Sequence, residues 1–167
     1  MITRTASFKV AAVLCSVLAL AACSKKTTPD LEAGTGLGAG VNGAAPGSKT
    51  QFETEVGDRI YFLVDQTTLT QEGQDTLTRQ AQWLQQYPNV TVQVEGHADE
   101  RGTREYNISL SARRATATRE YLVQQGVPGN RISSIAYGKE RPAALCDQEQ
   151  CWSQNRRAVT VVTGGAN

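Results

Sequence analysis

The chain has 167 residues, 40% of them hydrophobic, which is enough for one modest core and makes a single folded domain the expectation. Its formal net charge of +1 offers no basic footprint, so no nucleic-acid partner is expected. Bulk electrostatics point to no other partner class either.

Taken in chain order, Arg4 and Lys9 precede the apolar run VAAVLCSVLALAA, Val10 to Ala22. The run is too short to cross a bilayer, and a charged start before a short apolar core is the layout of a secretory signal, so residues 1–22 are expected to be removed. Without Arg4 and Lys9 the mature chain holds 15 basic against 16 acidic residues, a charge near −1. The run ends in Leu20-Ala21-Ala22-Cys23, which resembles the lipobox of bacterial lipoproteins. That resemblance implies that Cys23 becomes the acylated first residue, and that Ser24, in place of aspartate, directs the protein to the outer membrane with its domain in the periplasm. Several acyl chains anchor stably where one is marginal. The alternative is an ordinary signal peptide with Cys23 as a chance thiol.

Residues 23–50 follow as the lipidated N-terminus and a tether. From Ser24 to Thr50 the chain is rich in Gly, Ala, Ser and Thr and has too few large apolar residues to offset the entropy of ordering. Such a tether has a root-mean-square span of about 30 Å. The domain is expected over residues 51–167. RIYFLVD, Arg59 to Asp65, reads as a strand, and VTVQVEG, Val90 to Gly96, alternates with Val90, Val92 and Val94 on one face. Between them Leu77, Ala81 and Leu84 recur at helical spacing, with Thr68 or Thr70 as N-cap and Tyr87-Pro88-Asn89 as the stop. A second helix is expected from about Glu105 to Gln125, ending at GVPGN, and RISSIAYG and RRAVTVVTG read as later strands with a short helical turn around Gln148 to Asn155. The order βαβαββ describes an α+β fold, a two-layer sandwich with a mixed sheet and helices on one face.

Within the second helix, Asn107, Leu110, Arg114, Thr118, Tyr121 and Leu122 share a stripe about 120° wide that must meet the sheet. Arg113 points away from it and reads as solvated surface; Arg114 lies on the packed face. A guanidinium stays charged, so Arg114 needs a carboxylate and further acceptors there, and Asp99 is the nearest carboxylate in sequence. Two readings stay open: a structural Asp99–Arg114 ion pair that pins helix to sheet, or a clamp that takes a zwitterion, carboxylate on Arg114 and ammonium on Asp99.

Of the four cysteines, Cys15 leaves with the signal and Cys23 carries lipid. Cys146 and Cys151 remain, and an oxidising periplasm is expected to join them as a local staple. No second ligand pair accompanies them and the single histidine, His97, is remote in sequence, so no metal site is expected. His97 has no nucleophile paired with it and reads as a structural loop donor. Trp83 and Trp152 read as packing residues. Asn155-Arg156-Arg157 either steady a pocket or cap the last strand.

EGHADERGTREYNISLSARRA, then YGKERP and SQNRRAV, in this order and behind the lipobox, resemble the outer-membrane protein A-like family in its lipoprotein branch. The resemblance covers about residues 51–162. It implies a non-enzymatic domain, without cofactor, that binds the peptide stem of peptidoglycan. It further implies that Asp99 and Arg114 grip the ammonium and carboxylate of meso-diaminopimelate, with Asp65 and Asn107 at further pocket positions. It also implies Tol system proteins as partners, tethering of the outer membrane to the wall, and a part in envelope constriction during division. Arg104 departs from the proline common at this place in the family. A wall-modifying periplasmic enzyme is the alternative from another class, and needs a metal cluster or activated nucleophile; a motor-stator wall anchor needs an uncleaved membrane helix.

Overall fold

The computed structural model describes residues 43–167. The expected signal segment, the lipidation of Cys23 and most of the tether lie outside the described residues.

Order begins earlier than the expected Gln51. Ser48 caps a short helix α1 (Lys49–Gln51), its hydroxyl accepting from the Gln51 amide at 3.1 Å, and the chain runs on into a π-helical turn, Phe52–Gly57. Ser48 and Gln51 have the spacing of a capping box, and Gln51 Oε1 accepts from the Gly47 amide at 2.8 Å. What fixes this segment is Phe52, fully buried and tilted against Trp83 with ring centroids 4.9 Å apart.

Strand β1 (Arg59–Tyr61) leads to helix α2 (Gln71–Gln86), whose N-cap is Thr70 rather than Thr68; its hydroxyl accepts from the Gly73 amide at 3.1 Å. Leu77, Ala81 and Leu84 are buried, each leucine contributing roughly 2–3 kcal/mol of apolar burial. Strand β2 (Thr91–Gly96) alternates as expected, with Val92 and Val94 turned into the core. Helix α3 (Arg104–Gln124) starts at the Thr103 cap. It ends where Gly126 takes φ +95°, so that its amide bonds Val123 O and the Val127 amide bonds Leu122 O, the paired bonds of a Schellman stop. A 3₁₀ turn (Gly129–Arg131), β3 (Ile132–Ala136), α4 (Glu149–Asn155) and β4 (Arg157–Gly164) complete the domain.

The sheet order is β1-β4-β2-β3, with β2 and β3 parallel and the other pairs antiparallel. Parallel pairing of β2 with β3 requires a crossover, and α3 is that crossover. Its close seat on the sheet depends on Gly96: a Cβ there would stand 1.9 Å from Ser111 O of α3. The mixed sheet, with α2 and α3 packed over its apolar side, is the expected α+β sandwich. One element is shorter than the sequence suggests. Of Arg59 to Asp65, only Arg59, Ile60 and Tyr61 pair with β4. After Phe62 the chain turns, because Arg114 draws the carbonyls of Leu63 and Gln66 inward. Cys146 and Cys151 are joined, with Cα atoms 5.7 Å apart.

Candidate functional site

From Gly96, the last residue of β2, the chain runs through His97, Ala98 and Asp99 and turns at Gly102, φ +89°, into the N-cap of α3. This turn, the first half of α3 and the loop after β1 enclose a cleft of about 320 Å³, lined by Val64, Asp65, Asp99, Arg101, Gly102, Tyr106, Asn107, Leu110 and Arg114. All four residues named from the sequence, Asp65, Asp99, Asn107 and Arg114, meet here.

Arg114 is fully buried, as its helix face requires. Of the two open readings, the direct Asp99–Arg114 ion pair is not formed. Instead Nε donates to Gln66 O at 2.9 Å, Nη1 to His97 O at 2.9 Å and Nη2 to Leu63 O at 3.2 Å. Three carbonyls thus solvate the guanidinium, and the Phe62 ring lies 5.1 Å from its carbon. A guanidinium has five N–H donors, so two have no protein acceptor among the described residues. Burial lowers its pKa to about 10, with Asp99 pulling upward and Arg156 downward, and it remains charged at neutral pH. Its bonds have a second effect: they pin the Leu63–Gln66 turn, in which Asp65 holds φ +55°, a left-handed conformation that aspartate tolerates better than most residues. Asp65 accepts from the Tyr106 hydroxyl.

Asp99 is 7% exposed. Its Oδ1 accepts from the Arg101 amide and Arg101 Nε, both at 3.2 Å, and its Oδ2 from Arg101 Nη2 at 2.7 Å and Arg156 Nη1 at 3.3 Å. Burial pushes its carboxyl pKa up, but the bonds from Arg101 and Arg156 outweigh this and hold it below the usual value. Arg156 is itself buried, donates to Phe62 O at 3.1 Å and pairs with Glu149. So of the two readings of Asn155-Arg156-Arg157, Arg156 supports the pocket. Asn155 does something else, clamping the backbone at Ala143 and Ala144. Asn107 donates from Nδ2 to Arg101 O at 2.8 Å and so fixes the turn carrying Asp99.

The other expectations divide. Arg113 is solvated surface, donating to Ser109 Oγ. Trp83 is core; Trp152 is half-buried at the site, with the Arg101 guanidinium 4.1 Å above its ring and its Nε1 donating to Glu100. His97 is not a loop donor through its ring: both ring nitrogens are buried without a hydrogen bond, although Glu95 Oε2 lies 3.5 Å from Nε2. Its backbone does the work, donating to Arg157 O and accepting from Arg114. Burial, then the charges of Arg157 and Arg141, lower its pKa to about 4. Arg104, the departure from the family pattern, pairs with Glu140 at the surface.

Sequence reasoning missed Arg101 and Tyr106 as site residues, and left Arg156 between steadying a pocket and capping the last strand. A usable signal existed for Tyr106, which stands four positions before Leu110 and therefore on the same helix face; none identified which carboxylate Arg156 would meet.

Residues 61–157 match the model of the OmpA family. The chain is 60% identical over 155 residues to the peptidoglycan-associated lipoprotein of Rhizobium meliloti, covering 92% of this chain and 87% of that protein. It is 40% identical over 145 residues to the protein of the same description from Haemophilus influenzae, covering 86% and 90%. Among solved structures, the peptidoglycan-associated lipoprotein from Burkholderia pseudomallei superposes with TM-score 0.64 at 35% identity, covering 66% of this chain and 96% of that one. The C-terminal domain of Helicobacter pylori MotB does so with TM-score 0.60 at 26% identity, covering 64% and 84%.

Proposed function

The chain belongs to the OmpA family, and from that premise we propose that it is a peptidoglycan-associated lipoprotein whose cleft holds the stem peptide of the cell wall without transforming it. The observation that carries the reading is the pocket's charge arrangement. A carboxylate, Asp99, and a buried guanidinium with two donors that no protein acceptor takes among the described residues, Arg114, line one cleft without pairing with each other. A ligand that brings an ammonium and a carboxylate together satisfies both ends, and the zwitterionic terminus of meso-diaminopimelate has that chemistry. Leu110 and Val64 supply the apolar wall for the methylene chain between its ends, with Asp65 and Asn107 at the rim and floor.

The rest of the reading follows from the relatives' description and the N-terminal pattern. Acylation at Cys23 holds the protein in the outer membrane, so that wall binding at the far end of the tether joins membrane to wall. Tol system proteins are the partners that relocate the wall-bound form during constriction.

Retention on purified sacculi tests the site. The full chain is expected to sediment with sacculi, Arg113→Lys to behave as the parent, and Asp99→Asn to lose binding by about 1.5–3 kcal/mol, the range for a hydrogen bond to a charged group. Unchanged sedimentation of a folded Asp99→Asn chain removes the assigned role of Asp99.

A further inference from the structure

We infer that Arg101 occupies the seat of the ligand's ammonium on Asp99 and must be displaced for binding, so that it restricts this end of the pocket to cationic groups. The inference rests on the diaminopimelate reading above and concerns how that site is entered.

A carboxylate offers about four lone-pair positions. Asp99 has all of them filled: the Arg101 amide and Nε on Oδ1, Arg101 Nη2 and Arg156 Nη1 on Oδ2. No acceptor is left for an incoming ammonium. The four donors are not equally fixed. The amide belongs to the backbone turn that Asn107 holds. Arg156 is buried, with its side chain only 5% exposed, and is tied to Phe62 O and Glu149. The Arg101 side chain is 40% exposed and its guanidinium rests on the face of Trp152. It alone can leave without unsealing the core.

Its departure vacates one position on each carboxylate oxygen. A single ammonium, with three donors on one nitrogen, can bridge these two positions, and the vacated places face the cleft that Arg101 itself lines. An exposed guanidinium regains water when it swings out, so the exchange costs little. The stack on Trp152 biases the arm toward the closed position. A neutral ligand has nothing to offer Asp99 in exchange and leaves the arm in place. Arg101 therefore acts as an internal competitor that rejects uncharged and purely anionic ligands at this end of the pocket.

The test titrates the full chain with meso-diaminopimelate and, separately, with pimelate, the same diacid without amines, while following the Arg101 Nε–H resonance and binding heat. In the free protein the hydrogen bond to Asp99 is expected to slow solvent exchange of Nε–H; diaminopimelate is expected to abolish that protection and pimelate to preserve it. Arg101→Met keeps a long stem against Trp152 and removes the side-chain donors, and should bind diaminopimelate about three- to tenfold more tightly, as loss of an exposed, bidentate and stacked competitor implies. If diaminopimelate shifts Asn107 and Leu110 while Arg101 Nε–H stays protected, or if Arg101→Met binds no more tightly than the parent, the displacement is refuted and the pocket reading survives. If neither protein responds to diaminopimelate, the pocket reading fails and the inference falls with it.

Discussion

Arg114→Lys preserves charge and removes the planar fork, and the structure sets the size of the effect. Three separate nitrogens of Arg114 reach three carbonyls, on Gln66, His97 and Leu63. An ammonium has a single nitrogen on a shorter stem and can keep one of them in this geometry. Two carbonyls then lose a charged donor. The bond to His97 O is buried and the other two are part-buried, which places each loss near the low end of the ~1.5–3 kcal/mol for bonds to charged groups. The sum is about 3 kcal/mol, and for a domain of this size it lowers the melting temperature by roughly 10 °C. Differential scanning calorimetry of the full chain reads that shift, and sacculus binding of the same samples at a temperature where both are folded reads the ligand contact. A melting temperature within about 3 °C of the parent refutes the claim that the carbonyls depend on the fork. Parent-like binding by folded Arg114→Lys refutes the ligand role.

Replacing Cys146 and Cys151 by serine opens a closure only five positions long and should lower the stability seen in urea titration by about 2 kcal/mol or less; a chain that no longer folds contradicts a local staple. His97 has a folded-state pKa of about 4 against an ordinary 6.5, so the unfolded chain binds its proton first as pH falls. Its contribution is complete above pH 6.5 and declines toward pH 4, by at most about 3 kcal/mol. Asp99, whose lowered pKa takes effect as pH falls through the ordinary carboxylate value, overlaps only the acid end of that window. His97→Gln should flatten the denaturation midpoint from about pH 6 to 4.5, and an unaltered slope would mean the ring does not titrate as burial dictates. Gly96→Ala sets a Cβ 1.9 Å from Ser111 O, forcing α3 off β2 at a cost of about 3 kcal/mol; a variant within about 1 kcal/mol of the parent in urea titration would show that the helix has room.

The parts of the fold that the sequence announces are those whose cause is local. Leu77, Ala81 and Leu84 mark α2, the alternating valines mark β2, and GVPGN supplies the glycine that stops α3, each within a few residues of the effect. The length of β1 is different. Leu63 to Asp65 have strand character, but Arg114 captures the carbonyls around them from 48 and 51 positions away. The carbonyl cage around Arg114, found in place of the ion pair that was one of its two open readings, has the same origin. A buried guanidinium points a reader toward a carboxylate, which has a letter in the sequence; backbone carbonyls have none, so a cage built from them leaves no trace there. The site was legible as a set of residues through the GHAD and LSARRA motifs, but not as a set of contacts, because Asp99 is held by Arg101 and by Arg156, 57 positions on.

The pocket and the entry of the chain into the domain lie at opposite ends of β2, with a mechanical consequence. Pro46 and Gly47 are stitched to Asn167, which follows β4, while Thr91 at the start of β2 pairs with Gly164. The pocket begins just past Gly96, at the other end of a strand about 20 Å long. If the cleft holds the wall ligand as proposed, a pull on residues 46–47 enters the domain through α1 and the buried Phe52 and reaches the cleft by crossing the sheet from β1 through β4 to β2. The sheet's hydrogen bonds lie across the line joining these two ends, so the strands must slide and rupture several bonds together; they cannot peel apart one bond at a time. Under the proposed wall binding such a pull would load the sheet in shear, with the hydrogen bonds of a strand pair sharing the force.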